Sequence, residues 1–480
     1  MATSSGPGQN NLKTNPDWYI ARVDRLPTWG LSYALIWALG FSFFITLYDV
    51  INVGVALPVI PFITNSSEAS MIAALGLFGY IPGAIGLSYL ADVIGRRPTL
   101  IISAFLTTIG SFGDALATNY PTLAIFRFLT GMGIGADLVL VMTYLAEMAP
   151  NSKRGLYVNL AYIGGWAGIG LGPFLGAVLV DTYPAIGWRL VFAVGGALAL
   201  MALAIRATAP ETVRFLAKAH KFDEAGRLVS RMEETSMRRA NINMLPEPQI
   251  LNYTIHHKNP FSIFKNPKYL KRYIVLLALI FFWYFGEYPY LTLFTTWTKD
   301  VLGYTSSLEA SAIFLFGLAG VASFLGSIGI RPLLERMDRR ILVTLANTGF
   351  VLGMAIAVLG GLYRSMPLFF TGMVIGNFIG VGWSNQLNYL LATENYPTYA
   401  RATAYAMTDG LAHLGAAIAQ LILLSSLIPL LGSFGGWMVI EFEMIIAGIL
   451  TIFTIPRTLG RRLEEVNELE ELETQTQLKE

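Results

Sequence analysis

The sequence has no cysteine, few histidines and little charge, and each shortage excludes a class of site. Without cysteine there are no disulfides, thiolate metal ligands or cysteine nucleophiles. The four histidines form no metal-binding pattern such as HExxH. Charged residues make up 13% of the chain, about half the roughly 25% usual in soluble proteins. The net charge of +2 gives no broad electrostatic field for nucleic acid, so we predict no nucleic-acid partner.

Long apolar runs fill most of the 480 residues, of which 54% are hydrophobic. Each run of about 20 residues is long enough to cross a bilayer as a helix. The first 28 residues are polar and lack the apolar core of a cleavable signal peptide. The composition therefore predicts an integral, multi-pass membrane protein.

The breaks between apolar runs predict an all-α protein of twelve transmembrane helices, here called spans 1 to 12. The first six lie near 34–63, 70–91, 98–117, 121–149, 155–180 and 187–208. The other six lie near 272–298, 308–330, 340–362, 366–393, 402–428 and 434–456. We expect two pseudo-symmetric six-helix bundles, 29–208 and 272–456, with a linker at 209–271 and terminal segments at 1–28 and 457–480.

The positions of Lys and Arg predict the orientation. Most of them lie in the termini and the even-numbered connections, while Arg189, Lys299 and Arg364 lie on the other side. Because positive loops stay in the cytoplasm, both termini are predicted to be cytoplasmic, in the cell membrane.

The polar linker and tail are predicted to lie in the cytoplasm. The linker stretch "ETVRFLAKAHKFDEAGRLVSRMEE" has helical spacing of apolar residues and many cations, which favours short helices at the membrane face. A solvated linker without such helices is the alternative. The tail from 457 is charged, and we expect it to be partly helical.

A repeated motif indicates that the two halves are related. Span 4 ends in "AEMAPNSKRG" and span 10 in "TENYPTYARA", and both contain E-x-x-P-x-x-x-R. The second connection of each half also carries a pair of arginines behind an aspartate. Related halves that rock around a midplane site are typical of alternating-access transporters.

The stretch "LADVIGRRP" resembles the signature between helices 2 and 3 of the major facilitator superfamily. Asp92, Gly95, Arg96 and Arg97 match that signature, whereas Ser88 and Val93 depart from it. Span 4 is similar to helix 4 of the sugar-porter and metabolite:proton symporter branches, and "PETVRFL" after span 6 resembles a sugar-porter motif. The resemblance implies a twelve-helix transporter fold.

Other residues distinguish between branches. The sugar-porter motifs QQxSGxN and GPxPW are missing from spans 7 and 10. "ARVDRLPT", the Tyr48–Asp49 pair and the Gly-Ala-Asp of span 4 resemble metabolite, nicotinate-type or phosphate:proton symporters. The resemblance therefore favours a substrate other than a sugar.

Ionisable side chains within spans are the candidates for proton coupling, because a charge at mid-bilayer is costly unless it faces a partner or a cavity. Asp49 lies about halfway along span 1, and in the symporters that the chain resembles an aspartate here is the expected proton acceptor. The alternative is an Asp49 side chain capped by the backbone or by Asn52.

Asp137 is the second candidate for proton coupling. Gly131, Gly133 and Gly135 beside it predict that span 4 closely approaches another helix. Asp137 is expected to share a proton with Asp49 or to take part in substrate binding. The alternative is a packing hydrogen bond made by a neutral Asp137.

Arg127 is the cation that lies well inside a predicted span. A guanidinium can hold an anionic substrate through a bidentate fork, or influence the proton affinity of Asp49. Because Asp114 and Arg127 are equidistant from the tip of the hairpin between spans 3 and 4, an ion pair between them is the alternative. The two roles are compatible if the pair exchanges partners.

A C-half pocket of aromatic walls and hydrogen-bonding groups is predicted from spans 7, 10 and 11. Asp409 and His413 share a helical face. The predicted substrate-binding residues, together with Arg127, are Trp283, Tyr284, Glu287, Tyr288, Asn377, Trp383, Ser384, Asn385, Asn388, Asp409 and His413. Some of these side chains are expected to serve packing instead.

Charged clusters at the cytoplasmic ends of the spans are predicted to form a gate of ion pairs, which set the conformational equilibrium by forming in one state and breaking in another. Topology alone explains the arginines but not the paired acids. The predicted members are Asp92, Arg96, Arg97, Glu147, Arg154, Asp338, Arg339, Arg340, Glu394 and Arg401.

These observations predict a secondary transporter that couples uptake of a small polar metabolite, best an organic anion, to proton entry. A sugar or phosphate substrate, export by proton antiport, and a non-transporting nutrient sensor on the same fold are the alternatives. No nucleophile or nucleotide-phosphate motif points to an enzyme. We expect a monomer with no cofactor, whose partners are substrate, protons and lipid.

Overall fold

The computed structural model describes residues 14–64, 66–249, 259–302, 306–397, 400–461 and 463–467. Spans 1 to 6 are Tyr33–Ala56, Ser66–Pro82 continued through a π-helical turn to Ser88–Ile94, Arg96–Leu116, Tyr120–Met148, Arg154–Thr182 and Gly187–Arg206. Spans 7 to 12 are Pro267–Leu302, Ser306–Gly329, Arg339–Leu362, Met366–Ile375 continued to Gly382–Glu394, Arg401–Ile422 and Ile428–Thr454. Ten of these helices are long and apolar enough to span a membrane, and spans 8 and 11 complete the predicted set of twelve.

Two span boundaries differ from the prediction. Span 1 ends at Ala56 because Pro58 opens a 3₁₀ turn, Leu57–Val59. A π-helical segment carries span 11 on into span 12, and the chain turns at Gly432, whose φ of 71° suits a residue without a Cβ.

Small residues bring span 4 against spans 2 and 3, as predicted. A Cβ at Gly131 would overlap the carbonyl oxygen of Gly76 on span 2, and one at Gly135 would overlap that of Tyr80. On another side of span 4, a Cβ at Gly133 would collide with Thr107 of span 3. Glycine therefore permits backbone contacts that hold this helix at the centre of the N half.

The repeated sequence motif corresponds to a repeated structure. Arg96, the first residue of span 3, pairs with Glu147 at 2.8 Å, and Arg339, the first residue of span 9, pairs with Glu394 at 2.7 Å. Each acid lies near the end of the equivalent helix, span 4 or span 10. Equivalent ion pairs thus join the start of span 3 to the end of span 4 in the N half, and the start of span 9 to the end of span 10 in the C half.

The second arginine of each pair caps a different helix. Arg97 Nη2 donates to the carbonyl oxygen of Ala207 at 2.6 Å, just past span 6. Arg340 Nη1 donates to the carbonyl oxygens of Ile452 and Ile455 at 3.0 and 2.8 Å, at the end of span 12. A cation there satisfies free carbonyl groups and complements the helix dipole.

The linker contains two helices, Val213–Lys218 and Phe222–Ala240, and their place at the membrane face stays a prediction. The N-terminal helix, Pro16–Asp24, packs against them through Glu233. The Glu233 carboxylate accepts from Arg22 at 2.5 Å and from Arg25 at 2.6 Å. These ion pairs hold the first described helix against the linker.

The start of the tail docks on the C half. Within the helix Leu463–Asn467, the carbonyl oxygen of Asn467 accepts from the Tyr269 hydroxyl, and its side chain donates to the Glu394 carbonyl oxygen at 2.9 Å. The predicted partial helicity is confirmed for this segment, and the residues from 468 lie outside the described part.

Contacts between the halves run along two pairs of spans. Span 2 packs against span 11, and span 5 packs against span 8. The Asn159 amide of span 5 donates to the Ser327 carbonyl oxygen at 3.0 Å and also to Gln386. The functional side chains described next lie beside this interface.

Candidate functional site

A buried guanidinium in the N half lies between two carboxylates. Arg127 Nη1 is 3.2 Å from Asp49 Oδ2 and 3.1 Å from Asp114 Oδ2. All three side chains are at most 4% exposed. The predicted Asp114–Arg127 pair is therefore present, and Asp49 joins it to form what we call the Arg127 triad.

Neighbouring groups orient the Arg127 triad. Ser111 donates to Asp49 Oδ1 at 3.3 Å, and Thr130 donates to Asp114 Oδ2 at 3.1 Å. The guanidinium also lies over the ring of Phe192, 5.6 Å from its centroid. These contacts come from spans 3, 4 and 6, so the whole N half positions the triad.

The triad carries one more acid than base. With both carboxyl groups ionised it holds an excess negative charge in a buried site, which is unfavourable. One proton on either carboxyl group removes that excess. Arg127 can also release one carboxylate and bind an external anion, and the net charge of the site is unchanged if the released acid takes up a proton.

A cavity adjoins Arg127 at the interface between the halves. Its lining comes from spans 1, 2 and 4 of the N half and spans 7 and 11 of the C half: Val50, Val53, Ala73, Gly76, Leu77, Tyr80, Arg127, Gly131, Ile134, Tyr288 and Gln420. Its volume is about 40 Å³, which is room for about three waters at roughly 10–15 Å³ each. Ligand pockets usually measure about 300–1,000 Å³, so this conformation is contracted around the site.

Asp137 has a partner that the sequence interpretation missed. Its carboxylate lies 2.5 Å from Arg206 Nη1 and 2.6 Å from Nη2, and Ser103 donates to it at 3.0 Å. Arg206 is the last residue of span 6 and is 2% exposed. Arg127 is therefore not the one cation buried among the spans, and this geometry favours the packing role of Asp137.

Asp409 forms a polar network that joins the two halves. Its carboxylate accepts from Tyr284 at 2.7 Å and from Tyr80, which belongs to span 2. His413 stacks on Tyr80 with ring centroids 3.5 Å apart, and its Nε2 lies 3.0 Å from the Tyr288 hydroxyl. The predicted Asp409–His413 pair is thus held by tyrosines from both halves.

Glu287 belongs to a separate chain of hydrogen bonds within the C half. Asn385 donates to Glu287 Oε1 at 2.5 Å and accepts from Trp283 Nε1 at 2.6 Å. All three side chains are buried. This chain of hydrogen bonds brings together three of the residues predicted for the C-half pocket. None of the three is among the residues that line the cavity.

The polar residues of span 10 have several surroundings. Asn377 donates to the Tyr290 hydroxyl at 2.7 Å, and Ser384 donates to Asn347 Oδ1 at 2.9 Å, so both join helices of the C half. Asn388 is buried, and neither amide atom has a hydrogen-bond partner among the described residues; the same holds for the half-buried Trp383 Nε1. Of the predicted substrate-binding set, Arg127 and Tyr288 line the cavity described above, and the single C-half pocket stays a prediction.

The predicted gate residues form ion pairs mainly within each half. Asp92 pairs with Arg96 at 2.9 Å, in addition to the equivalent Glu147 and Glu394 pairs. Between the halves, Thr403 of span 11 donates to Asp92 Oδ2 at 2.8 Å. The ends of spans 2 and 11 that are predicted to be cytoplasmic are thus in contact, and at Asp92 a hydrogen bond, not an ion pair, joins the two halves.

The remaining gate residues, Asp338, Arg340, Arg154 and Arg401, also make hydrogen bonds or ion pairs. Asp338 caps span 9 and pairs with Arg340 at 2.6 Å. Arg154 lies 4.0 Å from Asp24 of the N-terminal helix, and its Nε donates to a span 4 carbonyl oxygen. Arg401 Nε donates to the Tyr396 carbonyl oxygen at 3.2 Å.

Glu211, between span 6 and the linker helices, supports the turn that begins span 3. Its carboxylate accepts from the backbone N–H groups of Arg96 and Arg97, each at 3.1 Å. Burial raises the pKa of Glu211 above its usual value, although these hydrogen bonds oppose the shift. Gly95, the residue before Arg96, has a φ of 113°. Glycine adopts such an angle readily, which explains the glycine of the signature.

Sequence interpretation missed Tyr80, Arg206 and Glu441 as candidates. Glu441 of span 12 is 0% exposed, and neither carboxyl oxygen has a hydrogen-bond partner among the described residues. An ionisable residue inside an apolar run is a detectable signal, so Glu441 and Arg206 were recognisable in principle. Tyr80 was not, because tyrosine is ordinary near helix interfaces. Within the described ranges, no cluster of three His, Asp or Glu residues suits a metal ion.

Comparison with known proteins identifies related chains over most of the length. The sequence profile of the Major Facilitator Superfamily matches residues 39–420. The niacin transporter NiaP of Acinetobacter baylyi is 24% identical over 460 residues, covering 93% of this chain and 99% of NiaP. The 4-hydroxybenzoate transporter PcaK of the same species is 30% identical over 351 residues, covering 72% of this chain and 73% of PcaK.

The fold is similar to a solved transporter structure. The proton:xylose symporter XylE, bound to 6-bromo-6-deoxy-D-glucose, superposes with a TM-score of 0.75 at 19% identity. The alignment covers 90% of this chain and 98% of XylE. At this identity the likeness describes the fold and leaves the substrate open.

Proposed function

We propose that this chain, which belongs to the Major Facilitator Superfamily and is a multi-pass membrane transporter, carries a small organic anion together with a proton. The anion is best an aromatic or short carboxylic acid. Transport occurs by alternating access of a site between the two halves, in the cell membrane with both termini cytoplasmic.

The observation that carries this proposal is the Arg127 triad beside the cavity between the halves. A substrate carboxylate competes with Asp49 for the Arg127 guanidinium, which offers a fork suited to carboxylates. The released Asp49 then lies buried without its cation, so it binds a proton. Anion and proton are therefore bound together, and neither crosses alone.

Charge balance favours electroneutral transport. One monovalent anion and one proton add no net charge to the buried site, so loading the carrier does not increase the penalty for moving a charge through the bilayer. Uptake should respond to the pH gradient and only weakly to the membrane potential.

The cavity walls favour an aromatic ring over a sugar. Val50, Val53, Leu77 and Ile134 present apolar surface between the polar lining groups, as expected for a pocket that holds an apolar body by a few polar contacts. The names of two relatives, a niacin and a 4-hydroxybenzoate transporter, agree with such a ligand.

The span ends that we propose to be cytoplasmic are in contact in this conformation, for example through the Thr403–Asp92 hydrogen bond. The small cavity must widen to admit a substrate. We infer that it does so when the halves separate on the opposite side, and that the cytoplasmic contacts break afterwards. The predicted gate residues keep this role in the proposal.

A sugar is the second candidate substrate. The glucose transporter GlcP of Staphylococcus epidermidis is 27% identical over 429 residues, and buried amides line spans 10 and 11. Trp283, Glu287 and Asn385 bind one another here, so a sugar would have to replace these bonds.

The test is proton movement into proteoliposomes that contain the full chain and an internal pH dye. Benzoate, nicotinate, glucose and phosphate are added in turn. Acidification with the aromatic acids alone supports the proposal, whereas acidification with glucose alone supports the sugar reading. Alkalinisation would indicate antiport.

Asp49→Asn is the diagnostic variant. It should abolish substrate-driven acidification while keeping exchange of labelled substrate, because binding to Arg127 survives. Ser111→Ala, which removes only a donor to Asp49, is the matched control and should keep acidification. Normal acidification by Asp49→Asn would refute the assigned coupling site.

A further inference from the structure

The cavity between the halves is lined by two side chains that each have one unpartnered polar atom, a donor on one side chain and an acceptor on the other. Arg127 Nε has no hydrogen-bond partner among the described residues, and neither does Gln420 Oε1. Both residues line the cavity and are buried, with 4% and 3% of their surface exposed. Buried polar atoms are normally satisfied, so two unsatisfied atoms at one cavity point to a ligand.

The other polar groups of the cavity lining are already engaged. The Tyr80 hydroxyl donates to Asp409, and the Tyr288 hydroxyl lies 3.0 Å from His413 Nε2. The unfilled hydrogen-bonding capacity therefore concentrates on Arg127 and Gln420. Apolar side chains, among them Val53, make up much of the remaining wall.

The two unsatisfied groups belong to different halves. Arg127 lies on span 4 of the N half and Gln420 on span 11 of the C half. Arg127 requires an acceptor, preferably an anion, whereas the Gln420 carbonyl requires a donor such as O–H or N–H. A molecule that satisfies both carries an anion at one end, an apolar body and a donor at the other end.

From this geometry we infer that Gln420 is a substrate-binding residue that recognises a hydroxyl or N–H donor on the anionic substrate. The inference rests on the proposed function, since Arg127 supplies the anion site. The preferred substrates are accordingly hydroxylated or N–H-bearing aromatic acids rather than unsubstituted ones.

A consequence concerns the transport cycle. A ligand that binds Arg127 and Gln420 together contacts both halves, so it favours the conformation in which the halves enclose it. An acid without the donor contacts Arg127 alone, so it stabilises the enclosing conformation less. The hydroxyl should therefore increase the rate of substrate exchange as well as the affinity.

The test compares binding of benzoate, 3-hydroxybenzoate, 4-hydroxybenzoate and 4-methoxybenzoate to the purified full chain by titration calorimetry. One neutral hydrogen bond corresponds to about a two- to tenfold difference in Kd. At least one hydroxybenzoate should bind the wild type tighter than benzoate by that factor. The methoxy acid keeps an acceptor but loses the donor, so it should show no such gain.

Two substitutions of Gln420 separate its role from general damage. Gln420→Met keeps the side-chain length and removes the acceptor, so the hydroxyl gain should vanish while the Kd for benzoate stays within about twofold. Gln420→Glu keeps an acceptor and should retain the gain, although its charge weakens binding of every acid. Ile418→Met, a change at a side chain 43% exposed on the same helix, is the matched control and should behave as the wild type.

Different failures refute different statements. If benzoate and both hydroxybenzoates bind the wild type equally, or if Gln420→Met keeps the hydroxyl gain, the role of Gln420 is refuted and the anion proposal survives. An equal gain from the methoxy group would also refute it. If no aromatic acid binds folded wild-type protein, the proposed function fails, and the inference fails with it.

Discussion

Removal of the Asp137 charge should destabilise the protein without uncoupling it. Asp137 accepts from two guanidinium nitrogens of Arg206 at 2.5 and 2.6 Å and from Ser103 at 3.0 Å. An asparagine retains one acceptor oxygen but turns an NH₂ group towards Arg206, which then lies buried without a counter-ion. Breaking a buried pair in this way costs about 3–5 kcal/mol.

A double-mutant cycle isolates the ion pair. Arg206→Met alone leaves the Asp137 carboxylate uncompensated and should cost a similar free energy of unfolding. The double variant buries neither charge, so its loss should be smaller than the sum of the single losses by more than about 2 kcal/mol. Unfolding of the purified proteins in detergent, followed by tryptophan fluorescence, measures all four corners of the cycle.

Transport distinguishes packing from proton coupling. Folded Asp137→Asn protein in proteoliposomes should still show substrate-driven acidification, in contrast to Asp49→Asn. Wild-type stability combined with lost acidification would refute the packing role and support proton transfer at Asp137. Strictly additive losses in the cycle would refute the assigned ion pair.

Three further predictions concern helix contact, pH and the interface between the halves. Gly131→Ala should prevent folding or sharply lower the yield, because the added Cβ would overlap the Gly76 carbonyl oxygen. Gly86→Ala is the control and should be tolerated, because a Cβ there meets nothing within 4 Å. Size-exclusion profiles of the two purified variants compare them. Burial alone would raise the pKa of Glu233, but the two arginines beside it outweigh that effect and lower the pKa below the usual value of 4.5. The contribution of Glu233 to stability is therefore present above pH 4.5 and is lost as the pH falls through the lowered pKa. Limited proteolysis of the N-terminal helix at a series of pH values should show this loss, and an unchanged pattern would contradict it. Tyr80→Phe removes a hydrogen bond between the halves that is worth about 1.5–3 kcal/mol. Because the chain has no cysteine, a single cysteine engineered into the cavity wall can be labelled, and this labelling should increase in the variant. Unchanged labelling would mean that this bond does not hold the halves together.

Different parts of the fold were predictable to different degrees. Span positions followed from composition, because a helix is the structure that satisfies the backbone of a single apolar segment in lipid. The glycines of span 4 predicted close packing, and the structure identifies the Gly76 and Tyr80 carbonyl oxygens as the contacts. The repeated E-x-x-P-x-x-x-R motif predicted related halves, and each Glu pairs with the first residue of an equivalent helix.

The pairing of buried charges was predictable only where the chain brings the partners together locally. Asp114 and Arg127 lie at equal distances from one hairpin, so their contact could be inferred from spacing alone. Asp137 of span 4 and Arg206 at the end of span 6 are 69 residues apart, and nothing in the spacing relates them. The assignment of Asp137 to proton coupling therefore rested on burial without knowledge of its counter-ion.

The sequence by itself determined the membrane class, the twelve helices, the two related halves and the family, because hydrophobic length, charge placement and local motifs are properties of short segments. Only the tertiary structure decided which buried acids have cations, that Tyr80 joins Asp409 across the halves, and that Arg127 and Gln420 line one cavity. Those relations depend on helix rotation and depth, which are set by many weak contacts along the bundle. Residues far apart in the chain meet through these contacts, and no short stretch of sequence encodes them.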